Sequence, residues 1–351
     1  MIATARQLEE LLPEINTFDR VAIDTEADSL HCYREKLCLL QLSLPSGDHI
    51  VDPLAGFDLQ PLVQALADKT IVVQGADFDL RLLRRNLQFT ASRVFDTVIA
   101  ARLLGLREFS LAALVQRYFG VELAKGSQKA NWAQRPLPER MVEYAINDTH
   151  YLLPLAEKME DELKAAGRLE WFEQSCRRAV DQSLVDRSRD ADEAWRISGS
   201  GKLRGRAAAI LRELWKWRER EAEAVDRPPF HILQNSDLVR SAEIFHAGES
   251  PDFRHFSARR RQAFRDAANR ALDMPEKEWP VQRTRTGARP TPEVLRRTEE
   301  LRQRRDRSTA ELGLDPSFVA PRSALEALAS NPTAANTLLV PWQRRLLDLA
   351  E

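Results

Sequence analysis

Over its first 180 residues the chain alternates short apolar, β-branched runs with stretches of helical periodicity, and beyond them no strand signal recurs. VAIDTEA (21–27) and LCLLQLSL (37–44) read as strands, and HIVDPL (49–54) as a third that stops at Pro53. Between the last two, PSGD (45–48) is a strong turn, which makes them a hairpin. QPLVQALAD (60–68) has helical periodicity, and TIVVQG (70–75) reads as a buried strand. DFDLRLLRRNL (77–87), VFDTVIAARLLG (94–105), SLAALVQRYFG (110–120) and the long run ERMVEYAINDTHYLLPLAEKMEDELKAAG (139–167) read as helices. The pattern predicts an α/β domain over 1–180, with a mixed sheet that is antiparallel at its start and covered by helices.

The remainder predicts helices only. KLRGRAAAILRELWKWREREAEAVD (202–226) is a long amphipathic helix ended by RPP, and shorter pieces follow up to EKEWP (276–280). VQRTRTGARPTP (281–292), rich in Arg, Thr and Pro, reads as a linker to a second helical unit. The two units look alike. WREREAEAVDRPPFHILQNSDLVRSA (217–242) and LRQRRDRSTAELGLDPSFVAPRSALEALA (301–329) each run from a basic helix through a proline-bearing turn and Phe230 or Phe318 into an apolar helix, which predicts a duplicated module.

Composition narrows the function classes. No apolar run reaches the roughly 18 residues of a membrane span, and the N-terminus lacks a basic-then-apolar signal, so a cytoplasmic protein is expected. Cys32, Cys38 and Cys176 show no CxxC spacing, which argues against a disulfide framework or a zinc site. The net charge of −1 hides an asymmetry: residues 1–182 hold 21 Lys and Arg against 27 Asp and Glu, and the rest hold 31 against 26. An acidic front and a basic back suit a chain that binds metal with one part and a polyanion with the other.

Three acidic motifs carry the candidate chemistry. Asp24 and Glu26 stand two apart on the first strand and so share a face, where two carboxylates stay ionised cheaply only around a shared cation. Asp79 opens the helix after TIVVQG, where an acid also serves as an ordinary N-terminal residue, with Asp77 as a second such acid. Tyr144 and Asp148 are four apart on a helix and hence neighbours on one face. Each motif alone is as well explained by a solvated strand end, a cap or an incidental pair.

Taken together, Asp-x-Glu on the first strand, an Asp opening a later helix and Tyr-x-x-x-Asp on a late helix resemble the DEDD exonucleases in their tyrosine form. VAIDTEADSLHCYREKLCLLQLSL, HIVDPL, VFDTVIAARLLG and KGSQKANWAQRPLPERMVEYAINDTHYLLPL (125–155) are similar to ribonuclease D over residues 1–180. The helical part resembles the helicase-and-RNase-D C-terminal (HRDC) domain twice, at 195–281 and 291–351. The resemblance implies a ribonuclease H-like exonuclease fold followed by HRDC-like modules, with Asp24, Glu26, Asp79 and Asp148 holding two divalent metals, Mg²⁺ or Mn²⁺. Oxygen donors without His or Cys suit those ions rather than zinc. Tyr144 would orient the attacking water. The histidine form of the family has His five residues before the last Asp, and here that position is Glu143.

The implied activity is 3′→5′ exoribonuclease action that releases nucleoside 5′-monophosphates, with tRNA precursors and small structured RNAs as substrates and no membrane or obligate protein partner. The alternatives are the same chemistry on DNA and a non-catalytic nucleic-acid-binding scaffold. Weaker expectations place His31 and Tyr33 at the 3′-terminal nucleotide and Lys125, Gln128 and Arg135 beside the site, Lys125 or Arg135 on phosphate. Asp28, Gln41, Asp96, Trp132 and His150 are expected to be structural or solvated. Two positions depart from the family pattern: Ala27 stands where an aromatic residue is common, and Gln74 where histidine is. The Arg and Phe of 253–270, with Lys202, Arg204 and Arg206, are expected to add affinity for nucleic acid. The first 190 residues are expected to fold without the helical modules.

Overall fold

The computed structural model describes residues 1–124, 126, 129–185, 192–281 and 290–349. A five-stranded mixed sheet organises the first part, with strands β1 (Arg20–Ala27), β2 (Leu37–Leu44), β3 (Gly47–Val51), β4 (Thr70–Val73) and β5 (Arg93–Asp96) in the order β3-β2-β1-β4-β5. β1, β2 and β3 pair antiparallel, whereas β4 and β5 run parallel to β1. Among the described residues eight helices belong to this part of the chain: α1 (Ala5–Thr17), α2 (Gln60–Leu66), α3 (Asp77–Leu87), α4 (Thr97–Leu103), α5 (Leu111–Phe119), α6 (Glu139–His150), α7 (Leu152–Ala165) and α8 (Leu169–Leu184).

All eight residues of β2 are buried, because helices cover both faces. Val21, Ile23, Leu40 and Leu42 pack with Leu8, Leu11 and Leu62 of α1 and α2 and Leu80 of α3. On the opposite face Leu39 packs with Trp132 and with Met141 and Ala145 of α6, and Ala22 and Val72 pack with α4 and α7. Burial of each Leu-sized side chain contributes roughly 1.5–3 kcal/mol.

Two local expectations need correction, and one helix goes unanticipated. VFDTVIAARLLG is not one helix, since Arg93–Asp96 is a strand paired with Thr70–Val73 and α4 starts after it. Four residues are too few to separate a period of 2 from one of 3.6. The predicted helix 139–167 breaks at Tyr151 into α6 and α7, with Pro154 in the first turn of α7, where a missing N–H costs nothing. α1, which no strong signal announced, is capped by the Thr4 side chain and buries Leu8, Leu11 and Ile15.

The chain forms two compact units: Met1–Ala27, Lys36–Val185 and Gly287–Glu351 in one, and Asp28–Glu35 with Asp186–Thr286 in the other. The second is helical, with α9 (Gly205–Ala224), α10 (Pro229–Ile232), α11 (Asn235–His246) and α12 (Ala258–Leu272). Its core holds Leu211, Leu214, Trp217, Phe245 and Phe264, and the Trp217 and Phe264 rings meet edge-on at 4.7 Å. Most of the predicted linker, residues 282–289, lies outside the described residues.

The closing helices α13 (Pro292–Leu312), α14 (Pro316–Val319), α15 (Arg322–Ser330), α16 (Ala335–Leu338) and α17 (Pro341–Leu346) pack into the same unit as the sheet. The indole of Trp342 stacks on Trp171 of α8 at 5.1 Å and donates to Ser175 Oγ at 3.0 Å. Arg168 donates to the Leu312 carbonyl at 2.8 Å. Gly105 approaches Gly313 so closely that a Cβ there would lie 2.6 Å from its carbonyl oxygen. A domain ending near residue 190 would therefore lose part of its own packing, contrary to the expectation that it folds without the helical modules.

Candidate active site

β1 is the central strand, and its last residues carry Asp24 and Glu26 on the face covered by α6. α6 presents Met141, Ala145 and Thr149 to the sheet, which turns the neighbouring stripe of Tyr144 and Asp148 toward β1. Carboxylate oxygens of Asp24, Glu26 and Asp148 lie within 4.8 Å of one another. Asp79, the third residue of α3, is 5% exposed and accepts a hydrogen bond from the Thr25 hydroxyl, and its charge is felt by Asp24, Glu26 and Asp148. Tyr144 hydrogen-bonds Asp148.

The electrostatics of this cluster follow from burial and like charge. Burial, then the charges of Asp148 and Asp79, push the Glu26 carboxyl up to about 9. Burial raises Asp148 to about 7, against the lowering effect of the Tyr144 hydrogen bond. Asp79 rises to about 6 through burial, partly offset by the bond from Thr25. Asp24 is raised well above the carboxylate range by burial and by Asp79, Asp148 and Glu26. Four acids that resist ionisation together form a donor set suited to hard divalent cations, whose charge would let all four ionise. Among the described residues no His or Cys belongs to the cluster.

Asp96 holds the turn that aims Asp79. Its carboxylate accepts from the amides of Gly75 at 3.0 Å and Ala76 at 2.9 Å, just ahead of α3, and from Val98 at 2.8 Å as the cap of α4. Gly75 sits at φ +86°, where a side chain would be strained. Gln74 donates to the Phe109 carbonyl at 2.8 Å and accepts from Thr97, so it too supports this turn. The sequence points to a structural role for Asp96 but not to these partners. An acid followed by TVI at a helix start is the only local signal it offers.

The weaker expectations fare differently. Arg135 does not reach toward substrate: its guanidinium binds Asp52 through two 2.6 Å contacts and donates to the Cys38 and Trp132 carbonyls. A fork filled inside the protein has no donor edge left for phosphate. Tyr33, expected at the terminal nucleotide, packs against the core of the helical unit, and its phenol bonds Glu219. His31 lies in the same 28–35 segment of that unit, with its amide bonded to the Asp28 carbonyl at 2.8 Å. Lys125 and Gln128 lie outside the described residues. Trp132 is 1% exposed and packs beside Tyr144. His150 Nδ1 contacts Asp48 at 2.7 Å.

Residues 1–164 match a family described as 3'-5' exonuclease, and residues 207–245 match the HRDC domain. A ribonuclease D of Sphingobium indicum is 32% identical over 244 residues, which cover 68% of this chain and 62% of that protein. Its first part is a 3'-5' exonuclease domain, and the chain is similar to ribonuclease D. Its match spans less than two thirds of that relative's own length. Two solved structures resemble it over nearly its whole length, each 25% identical: Escherichia coli RNase D, described as an exoribonuclease involved in structured RNA processing (TM-score 0.74, covering 99% of this chain and 98% of that one), and a protein from Bifidobacterium adolescentis (0.85, 99% and 94%). For a 3'-5' exonuclease domain of this family, which depends on divalent metal, the acidic cluster at the end of β1 is the candidate metal site. Among the described residues no helix is long and apolar enough to cross a membrane.

Proposed function

We propose that this protein is a metal-dependent 3′→5′ exoribonuclease that removes nucleoside 5′-monophosphates from RNA 3′ ends, with Asp24, Glu26, Asp79, Asp148 and Tyr144 as its catalytic residues. The observation that carries the reading is the half-buried cluster of Asp24, Glu26 and Asp148 from β1 and α6, with buried Asp79 of α3 near enough for its charge to act on all three and Tyr144 bonded to Asp148. Asp24, Glu26, Asp79 and Asp148 would hold two divalent ions, Mg²⁺ or Mn²⁺. Those ions supply charge neutralisation at the scissile phosphate and acidify the attacking water.

The chain's own groups do the positioning. Tyr144 donates its phenolic hydrogen to Asp148, which leaves the oxygen lone pairs to accept a hydrogen bond from a water and so to aim it. A phenol with an ordinary pKa near 10 is too weak a base to take that proton efficiently at neutral pH, so its role is orientation. The Thr25 hydroxyl and the backbone amides of Thr25 and Asp79 hold the Asp79 carboxylate in place.

The substrates we propose are tRNA precursors and small structured RNAs, in keeping with what the Escherichia coli relative is described as processing. The setting we propose is the cytoplasm, and the reading requires no protein partner. Residues 195–281 and 291–351 are proposed as two HRDC-like modules that add affinity for the RNA backbone. The element order supports the pairing, since a helix of 20 or 21 residues is followed each time by a four-residue helix that starts at proline and then by a helix of 12 or 9. Phe256 and Phe264 belong to the core of the first module, so exposed arginines such as Arg259 and Arg265, rather than the aromatics, are its contact candidates.

The test is a 5′-labelled single-stranded RNA and a matched DNA, each incubated with Mn²⁺, with Mg²⁺ and with chelator. A metal-dependent ladder that shortens from the RNA 3′ end is expected. Shortening of DNA alone would move the protein to the DNA exonucleases, and RNA binding without a ladder on single-stranded or structured RNA would leave a scaffold.

A further inference from the structure

Gln41 is a buried amide in an otherwise apolar strand, and the fold gives it no visible task. It is 0% exposed, and neither its Oε1 nor its Nε2 has a hydrogen-bond partner. A buried polar group without a partner is costly, and a leucine at this place in LCLLQLSL would avoid the cost.

Its position is informative. In the antiparallel register of β1 and β2, Gln41 stands directly opposite Asp24. Residues paired in this way project to the same face, with Cβ atoms about 4.5–5.5 Å apart. The flanking members of that face fix what lies above it. Leu39 packs against Met141 and Ala145 of α6, and the Ser43 hydroxyl meets the Thr149 hydroxyl of the same helix at 2.7 Å. Gln41 lies between them, under the turn of α6 that carries Asp148 and beside the strand residue Asp24.

We propose that Gln41 is a positioning residue for the acidic cluster, its amide N–H donating to the Asp24 or Asp148 carboxylate, directly or through one water, when both are ionised around metal. An ionised carboxylate only accepts hydrogen bonds, and a neutral amide supplies a donor without adding charge. Groups of this kind, which orient a ligand rather than touch the ion, change metal affinity or activity about 10–100-fold when removed. The inference rests on the reading of the cluster as a metal site and adds a residue to it.

The experiment compares the full-length protein with its Gln41→Leu and Gln41→Met variants, both of nearly conserved volume. Thermal unfolding is measured in chelator, Mn²⁺ affinity by calorimetry, and kcat and KM on a labelled RNA. Metal-free Tm values equal to or above that of the parent are expected, with Mn²⁺ Kd raised about tenfold and kcat lowered at an unchanged KM. Variants that bind Mn²⁺ and turn over like the parent would overturn the proposal. So would variants that lose metal-free stability, because the amide would then be a structural group of the sheet. A parent protein that binds no Mn²⁺ would instead remove the metal-site reading on which the proposal stands.

Discussion

At the residue scale the four carboxylates differ in how they are held, and the differences predict distinct behaviours. Asp24 and Asp148 sit in the shared cluster, so Asp24→Asn or Asp148→Asn is expected to abolish RNA shortening while leaving RNA binding intact. Residual cleavage at a rate near the parent's would place the metal elsewhere. Tyr144→Phe removes only the hydroxyl that bonds Asp148 and is expected to slow turnover about 10²-fold with Mn²⁺ affinity kept, as calorimetry beside single-turnover kinetics would read. The pH dependence has a definite sign. Carboxyls raised to about 6, 7 and 9 keep their protons in the folded protein at pH values where the unfolded chain has lost them. The folded state binds more protons there, so the stability this confers is complete below about pH 4 and is lost as pH rises through those values. The metal-free protein is therefore expected to melt at lower temperature at pH 9 than at pH 5, and Asp24→Asn should flatten that slope. A metal-free Tm that climbs over the same range would contradict the burial and mutual repulsion assigned to the cluster.

At the element scale, the site exists because three elements end in the same place, and the sequence reveals those elements unevenly. β1 is legible because VAIDTEA is apolar and β-branched up to its acids, and α3 because its periodicity runs unbroken from Asp77. β5 is not, since RVFD is four residues long and flows into α4 without a turn residue between them. The pattern singles out Asp24, Glu26, Asp79, Tyr144 and Asp148, whereas it misleads at Arg135. An arginine before a proline in a polar loop looks solvated until the fold brings Asp52 to it from 83 residues away. Asp96 shows what local reading leaves out, because its bonds to Gly75 and Ala76 cross between two parallel strands. Asp96→Ala would orphan those two amides and the cap of α4. A loss of about 2–4 kcal/mol in urea unfolding is expected, with a fall in turnover as Asp79 loses its support. Unchanged stability would mean that the turn is held by the backbone alone.

At the scale of the whole molecule, the chain order and the packing order differ. The sequence suggests an enzyme domain followed by two dispensable modules, yet the last helices pack into the unit that holds the sheet, through Trp342 on Trp171 and Arg168 on Leu312. Nothing local announces this, because burial of Trp342 depends on a partner helix more than 150 residues earlier. A chain stopped after residue 190 is expected to melt well below the full-length protein or to aggregate, since it exposes the α8 face that Trp342 covers. Replacing 192–281 by a flexible linker removes the helices of the second unit while keeping its 28–35 segment, and is expected to spare metal binding, with weaker and less salt-sensitive RNA affinity. Equal melting of the 190-residue fragment and the full chain would show that the closing helices add no stability.

The central claim is that the cluster on β1, α3 and α6 is built to be neutralised by divalent metal. Titration of the chelated protein with Mn²⁺ at pH 7, repeated in buffers of different ionisation enthalpy, tests it directly. Two ions are expected to bind with release of protons, because Glu26, raised to about 9, is protonated at that pH until a cation replaces its proton. Absence of binding, or binding that survives Asp24→Asn and Asp148→Asn together and releases no protons, would contradict it.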